Sequence, residues 1–239
     1  MKRKWIRWVS WILLTPIILF VILMVLLYVP PVQNLLRREV TAYASKATGM
    51  QIQVERIDLR FPLNLLVRGV EVIQQPDTLL SLESLNVRVQ AWPLIKGKVE
   101  VDEVTLSRVA VNSADLMEGM KIKGVLGRFF LQSHGVDLSN ELAVINQVEL
   151  SDTHVQLLMN DTTTTPKDTT ASAPINWKVA LHQLKLKNVS FSMQLPTDSM
   201  RMAAHIGEAA IDDAQADLKN QYYDLKKFLL SGTSASYDT

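Results

Sequence analysis

Four histidines, His134, His154, His182 and His205, are the first residues to examine for chemistry. None has the i, i+4 partner or the adjacent carboxylate that a zinc site or a general base needs, so they read as structural or exposed residues. Asp212, Asp213 and Asp217 offer oxygens to a hard cation, but their spacing departs from an EF-hand loop. Alanines at 209, 210, 214 and 216 place them instead on a surface strand and its turn. Gly124-Val125-Leu126-Gly127 superficially resembles a phosphate loop; the Lys-Ser/Thr that would hold phosphate and magnesium is missing, and the segment reads as a turn. No Gly-x-Ser-x-Gly elbow and no framed pair of carboxylates occurs. The chain has no cysteine, which excludes disulfides, thiolate metal sites and cysteine nucleophiles. No catalytic, cofactor or metal residue is therefore assigned, and a non-enzymatic protein is expected. Twenty-five Lys and Arg against 24 Asp and Glu give no electrostatic reason to expect a nucleic acid partner.

With no site to position, the informative features are the apolar patterns. From Trp8 to Val29 the chain runs without a charged residue. As a helix this stretch would cover about 33 Å, close to the ~30 Å of a bilayer core. Lys2, Arg3, Lys4 and Arg7 precede it, so the positive-inside rule holds the N-terminus in the cytoplasm and sends the rest across. Trp5, Trp8, Trp11 and Tyr28 suit the two interfaces. A cleaved signal peptide is the competing reading, with Ala42-Tyr43-Ala44 as its cleavage site. The apolar run is longer than the roughly 7–15 residues of a signal core and ends far before that site, so an uncleaved anchor is expected.

Pro30-Pro31 ends the apolar run, and Leu35, Leu36, Val40, Tyr43, Ala44 and Ala47 recur at helical spacing until Gly49. The spacing predicts a short amphipathic helix over 32–48. Arg37, Arg38 and Lys46 would let it lie on lipid headgroups; it serves equally as a cap on the first strands.

Beyond Gly49 the period becomes that of strands, through Ile52, Val54, Ile57 and Leu59, then Leu65, Val67, Val70 and Val72, then Leu80, Leu82, Leu85, Val87 and Val89. A unit of two apolar pairs separated by a three-residue step then recurs. It runs Val99, Val101, Val104, Leu106; Ala143, Ile145, Val148, Leu150; and Val179, Leu181, Leu184, Leu186. Each copy extends by the same step, to Val109 and Val111, to Thr153 and Val155, and to Val189 and Phe191. A weaker copy is Ala204, Ile206, Ala209, Ile211. A three-residue step turns a regular strand onto its other face. A β-bulge at Asp102-Glu103, Asn146-Gln147 and His182-Gln183 would restore the face and curve the sheet; a two-residue hairpin is the alternative, but these pairs lack its turn chemistry.

Residues 161–174, DTTTTPKDTTASAP, read as an exposed loop or linker. Residues 114–139, with four glycines, read as a loop across the mouth of the sheet or as a poorly patterned hairpin. The expected organisation is a cytoplasmic leader (1–7), a transmembrane helix (8–29), the amphipathic helix (32–48), a first β section (50–160), the linker (161–174) and a second β section (175–239). The fold class is mainly β: the two helices, then a curved, elongated, groove-like sheet.

The stretch from Pro31 to Val111 resembles the N-terminal region of the TamB/AsmA-like envelope proteins, in the form found in Bacteroidetes. The likeness lies in Pro31 to Leu36, Ala42 to Gly49, Ile57-Asp58-Leu59, Gly69-Val70, Asp77 to Leu80, Trp92-Pro93-Leu94 and Gly97-Lys98-Val99. The resemblance implies an inner-membrane anchor, a periplasmic β-groove directed to the outer membrane, and one of two roles. These are phospholipid transport between the membranes, or membership of a translocation and assembly module that works with an outer-membrane β-barrel partner on protein assembly or secretion. Full members of the family are several times longer. Residues expected to line such a groove are Val99, Val101, Val104, Leu106, Ile145, Val148, Leu150, Leu181, Leu184 and Leu186. The same residues suit the core of a sandwich closed by a second sheet, and their periodicity does not decide between the two.

Overall fold

The computed structural model describes residues 28–95, 100–114, 119–137, 141–159, 176–196 and 199–239. The expected transmembrane helix falls on 8–29 and so lies, but for Tyr28 and Val29, outside the described residues; among those described, no helix is long and apolar enough to cross a membrane. Helix α1 (Pro30–Thr48) starts two residues before its predicted boundary, with prolines in its first two positions where a missing N–H costs nothing. It stops at Gly49, whose φ of 71° lets its N–H bond back to Ser45 O at 3.0 Å.

Strands β1 (Gln51–Arg60), β2 (Asn64–Gln74), β3 (Asp77–Val89), β4 (Val101–Asn112), β5 (Met120–Asp137), β6 (Leu142–Met159), β7 (Lys178–Leu195), β8 (Met200–Asp217), β9 (Tyr222–Ser231) and β10 (Ser234–Asp238) follow, with the short helix α2 (Ala91–Ile95) between β3 and β4. They form one curved, open sheet in sequence order, in which β9 and β10 pair successive parts of β8 and so share the last lane. Every pairing is antiparallel except β6 with β7, which is parallel. The two β sections expected on either side of the linker are thus hydrogen-bonded into a single sheet. The linker, 161–174, lies wholly outside the described residues.

Most of the segment expected as a loop or hairpin over 114–139 is instead the long strand β5, paired to β6 from Met120 to Asp137 and to β4 from Lys123 to Gln132. Gly124 and Gly127 sit inside it and make no turn. Gly127 has a reason to lack a side chain: a Cβ there would lie 2.7 Å from Asp152 Cβ and 2.9 Å from Asp152 O.

The three-residue steps are resolved within continuous strands, not by hairpins. The ladder passes over Asp102, Asn146 and His182, the first residue of each expected bulge pair. A second line of omitted pairings crosses the whole sheet through Glu55, Gly69, Glu83, Arg108, Gly127, Asp152, Asn188, Gly207 and Gly232. Because both strands of each pair omit one residue at the same level, register is kept while the apolar set returns to its face. Left-handed backbone marks this line at Gly69, Arg108, Asp152, Asn188 and Gly232, with φ between 46° and 60°. In each antiparallel pair one partner is left-handed; in the parallel pair both are. The side chains answer across it: Arg108 pairs with Glu83, and Asn188 Nδ2 donates to Asp152 Oδ1 at 2.7 Å.

Replacing Gly127 with alanine is expected to cost about 2 kcal/mol, the usual range for overfilling a tight site. Gly49→Ala, which meets nothing within 4 Å, should cost only the left-handed backbone penalty of about 1 kcal/mol. Urea unfolding midpoints at constant slope measure both, and equal effects would contradict the close approach at residue 127.

Candidate functional site: an open apolar face

Residues paired across a ladder share a face, so the register shows which side chains stand together. One row crosses the sheet as Leu59, Leu65, Val87, Val104, Leu131, Val148, Leu184, Ile211 and Phe228. The next row, two residues along, is Ile57, Val67, Leu85, Leu106, Phe129, Leu150, Leu186, Ala209 and Leu230. Val101, Ile145 and Leu181 stand in a third row on the other side of the first, joined across β5 by the buried Ser133, which pairs with Ile145 and donates to Val101 O, and continued by Ala214 and Leu225. Nine of the ten residues singled out in the sequence therefore fall in three adjacent rows of one face. Val99 lies outside the described residues. Beyond the crossing line a fourth row runs Val54, Val70, Leu82, Val109, Leu126, Thr153, Val189 and Ile206.

Sequence reasoning missed Leu126, Phe129 and Leu131, because β5 was hidden by its glycines. Their spacing of three and two is nevertheless the same signal that marked β4, β6 and β7. It also runs unremarked through β1 to β3, where 52, 54, 57 and 59 repeat it.

No second layer covers this face among the described residues. Ile57, Leu79, Leu82, Ala143 and Ala209 are the only buried apolar residues among them, and no side chain is fully enclosed. A sandwich core would bury its Leu, Ile and Phe almost entirely, so the closed reading fails for the described part. Nine lanes at ~4.8 Å, crossed by about eleven residues at ~3.3 Å, give an apolar face on the order of 1,400 Å². That is more than twice the roughly 300–600 Å² of the largest patch on an ordinary monomer.

The opposite face is mainly polar, with Leu66, Phe130 and Leu229 as large apolar members of one row, and its polar side chains pair with one another. Arg88 meets its ladder partner Glu103 at 3.2 Å. His182, which has no carboxylate near it in sequence, receives one from the neighbouring strand: its Nδ1 lies 3.1 Å from Asp213 Oδ1, and Lys226 Nζ lies 3.6 Å from the other oxygen. The hydrogen bond from His182, reinforced by Lys226, holds the Asp213 carboxyl below its ordinary range. Lys227, then Gln183, do the same for Asp212, and the Asn220 backbone N–H does so for Asp217. The three aspartates thus answer three separate partner sets, and among the described residues no group of His, Asp and Glu is arranged to hold a metal ion. Ser190 Oγ lies 2.9 Å from His205 Nδ1, but no carboxylate among the described residues orients that imidazole as a nucleophile's base requires.

The two edges of the sheet differ. Along β1, α1 lays a polar stripe at every fourth residue: Gln33 Nε2 donates to Leu59 O (2.9 Å), Arg37 to Val54 O and Glu55 O (3.0 Å each), and Ser45 Oγ accepts from Ile52 N (3.0 Å). Of the two roles open to this helix, capping the first strand is the one observed, and Arg37 is engaged there and turned from any headgroup. The last lane has no such cover among the described residues: Tyr222, Tyr223, Leu225, Phe228, Leu229, Leu230 and Tyr237 are all exposed.

No family model matches the chain, and no curated protein is similar to it. The class is set by the architecture alone: a mainly β protein built as one curved, open sheet, whose apolar face is uncovered among the described residues.

Because Asp213 is depressed in the folded state, its contribution to stability is present above its unfolded value near 3.8 and lost as pH falls through the folded one. Asp213→Asn should therefore lower the urea midpoint at neutral pH, and the gap from the unaltered chain should close as the pH falls below 3.8 and through the folded value. A gap that is unchanged at acid pH would show that the His182–Asp213–Lys226 cluster does not act through that charge.

Proposed function

We propose that the chain is a TamB/AsmA-like envelope protein, anchored in the bacterial inner membrane with its N-terminus cytoplasmic, whose periplasmic sheet carries phospholipid acyl chains towards the outer membrane. The observation that carries this reading is the pair of unbroken apolar rows, through Val104 and through Leu106, that run from β1 to the last lane with nothing laid over them among the described residues. At about 0.8 kcal/mol per CH₂, a ~15-carbon chain exposed to water costs on the order of 12 kcal/mol, so a carrier must offer apolar surface at every point of the route. Rows that lose no member to a charged residue meet that requirement. The apolar run at 8–29 behind four cations, and the resemblance of residues 31–111 to the family, support the anchor and the placement.

A second reading, a subunit assisting outer-membrane protein assembly or secretion, draws on the uncovered last lane. No other described strand pairs with its outer edge, which suits an incoming extended segment that would add as a further strand.

Photocrosslinking in cells separates the two. A photoreactive amino acid at Leu184 or Leu150 should give phospholipid adducts, and the same probe at Lys185 or Glu149, one residue along and on the other face, should not. Val104→Asp should reduce the adducts at Leu184 at least about tenfold, the equivalent of ~1.4 kcal/mol, with the circular dichroism of a folded sheet retained. Equal labelling of both faces would end the lipid reading. Protein adducts at Leu229, with none to lipid at Leu184, would establish the second.

A further inference from the structure

Helix α1 uses only one side to cap β1. Residues advance about 100° each around a helix, so Leu36, Val40 and Tyr43 form a stripe roughly 120° from the Gln33–Arg37–Thr41–Ser45 stripe. All three are exposed, Tyr43 to 77%, and Leu35 beside them to 58%. The corner of the sheet at the start of α1 continues this surface. Tyr28 donates from its hydroxyl to Pro62 O at 2.7 Å and meets the Phe61 ring edge-on at 6.4 Å, while Phe61 itself is 85% exposed. Val89 N bonds to Leu63 O, which brings the connection after β3 to the same end, and there Trp92 is 70% exposed. Lys46 and Arg60 are exposed around this surface, against Glu39, while Arg38 stands on the far side of the helix beside β1. The chain arrives here from 27 preceding residues, of which 8–27 carry no charge.

We propose that this corner rests on the surface of the bilayer: α1 lies in the headgroup region on its Leu36–Val40–Tyr43 face, with Phe61 beside it. The polar capping stripe and the apolar stripe then have separate partners, one the strand edge and the other lipid. An amphipathic helix with aromatic neighbours is the arrangement that binds such an interface. The β1 edge becomes the membrane end of the sheet, and the apolar rows lead away from it. This inference rests on the membrane anchorage proposed above and is independent of lipid carriage along the rows.

The absence of cysteine allows single-site labels on the full chain. Leu36→Cys, Tyr43→Cys and Phe61→Cys, with Thr233→Cys and Leu184→Cys for comparison, would each carry a bimane fluorophore. Each would be reconstituted in phosphatidylethanolamine and phosphatidylglycerol vesicles containing a lipid with a spin-labelled headgroup. Quenching at 36, 43 and 61 should exceed that at 233 by at least about twofold, the contrast between immersion in the headgroup layer and solvent. Vesicle-bound chain with 36 and 43 quenched no more than 233 would overturn the inference and leave anchorage intact, and quenching confined to 184 would do the same. Chain that fails to float with the vesicles would overturn anchorage and this inference together.

Discussion

A β-strand alternates its side chains with period two, while this chain spaces its apolar residues by two and three in turn. Both can hold only if each strand gives up one residue of pairing per three-residue step. Everything else in the sheet depends on that accommodation. Along the line from Glu55 to Gly232 it is made at the same level in neighbouring strands, so the rows there stay in register, whereas at Asp102 against β3 and at Asn146 against β5 one strand alone omits a residue and the register shifts. It uses left-handed backbone at five positions of one line, and the residues there suit it: three are Gly or Asn, one is Asp, and the one bulky exception, Arg108, is held by Glu83 across the line.

A single layer has consequences for how the sheet is held together. Among the described residues the apolar face has no opposing layer to supply the stability of a buried core, so cohesion comes from long ladders, from row-to-row contact between half-buried Val, Leu and Ile, and from polar pairs on the other face. Such a sheet also exposes two edges. The first is closed by side chains of α1 that supply partners to Ile52, Val54, Glu55 and Leu59. A helix can protect an edge this way without an apolar seam, which leaves its apolar side for another use.

Much of this was legible in the sequence because β-periodicity is local. The strands β1 to β4 and β6 to β8 show in their alternation, and the places where the ladder is interrupted show as the three-residue steps. Strand β5 did not, because glycine ordinarily marks a turn; at Gly127 it marks the close approach of Asp152, a neighbour 25 residues away. His182 and Asp213 illustrate the same limit, since their meeting depends on a pairing that no local pattern encodes. The polar stripe of α1 was visible as residues 33, 37, 41 and 45, but a helix is ordinarily docked by its apolar face, and here the roles are exchanged. The open face itself was not decidable from periodicity, because a groove and a sandwich core demand the same alternation.

The line from Glu55 to Gly232 runs across the strands, parallel to the apolar rows. Regular pairing is interrupted along it, and the line is bridged instead by Arg108 to Glu83, Asn188 to Asp152 and Gly207 N to Gly232 O at 3.1 Å. A residue inserted or deleted on one side of it in a single strand would turn the rest of that strand onto the other face. The line therefore ties the strand lengths of each flank to one another.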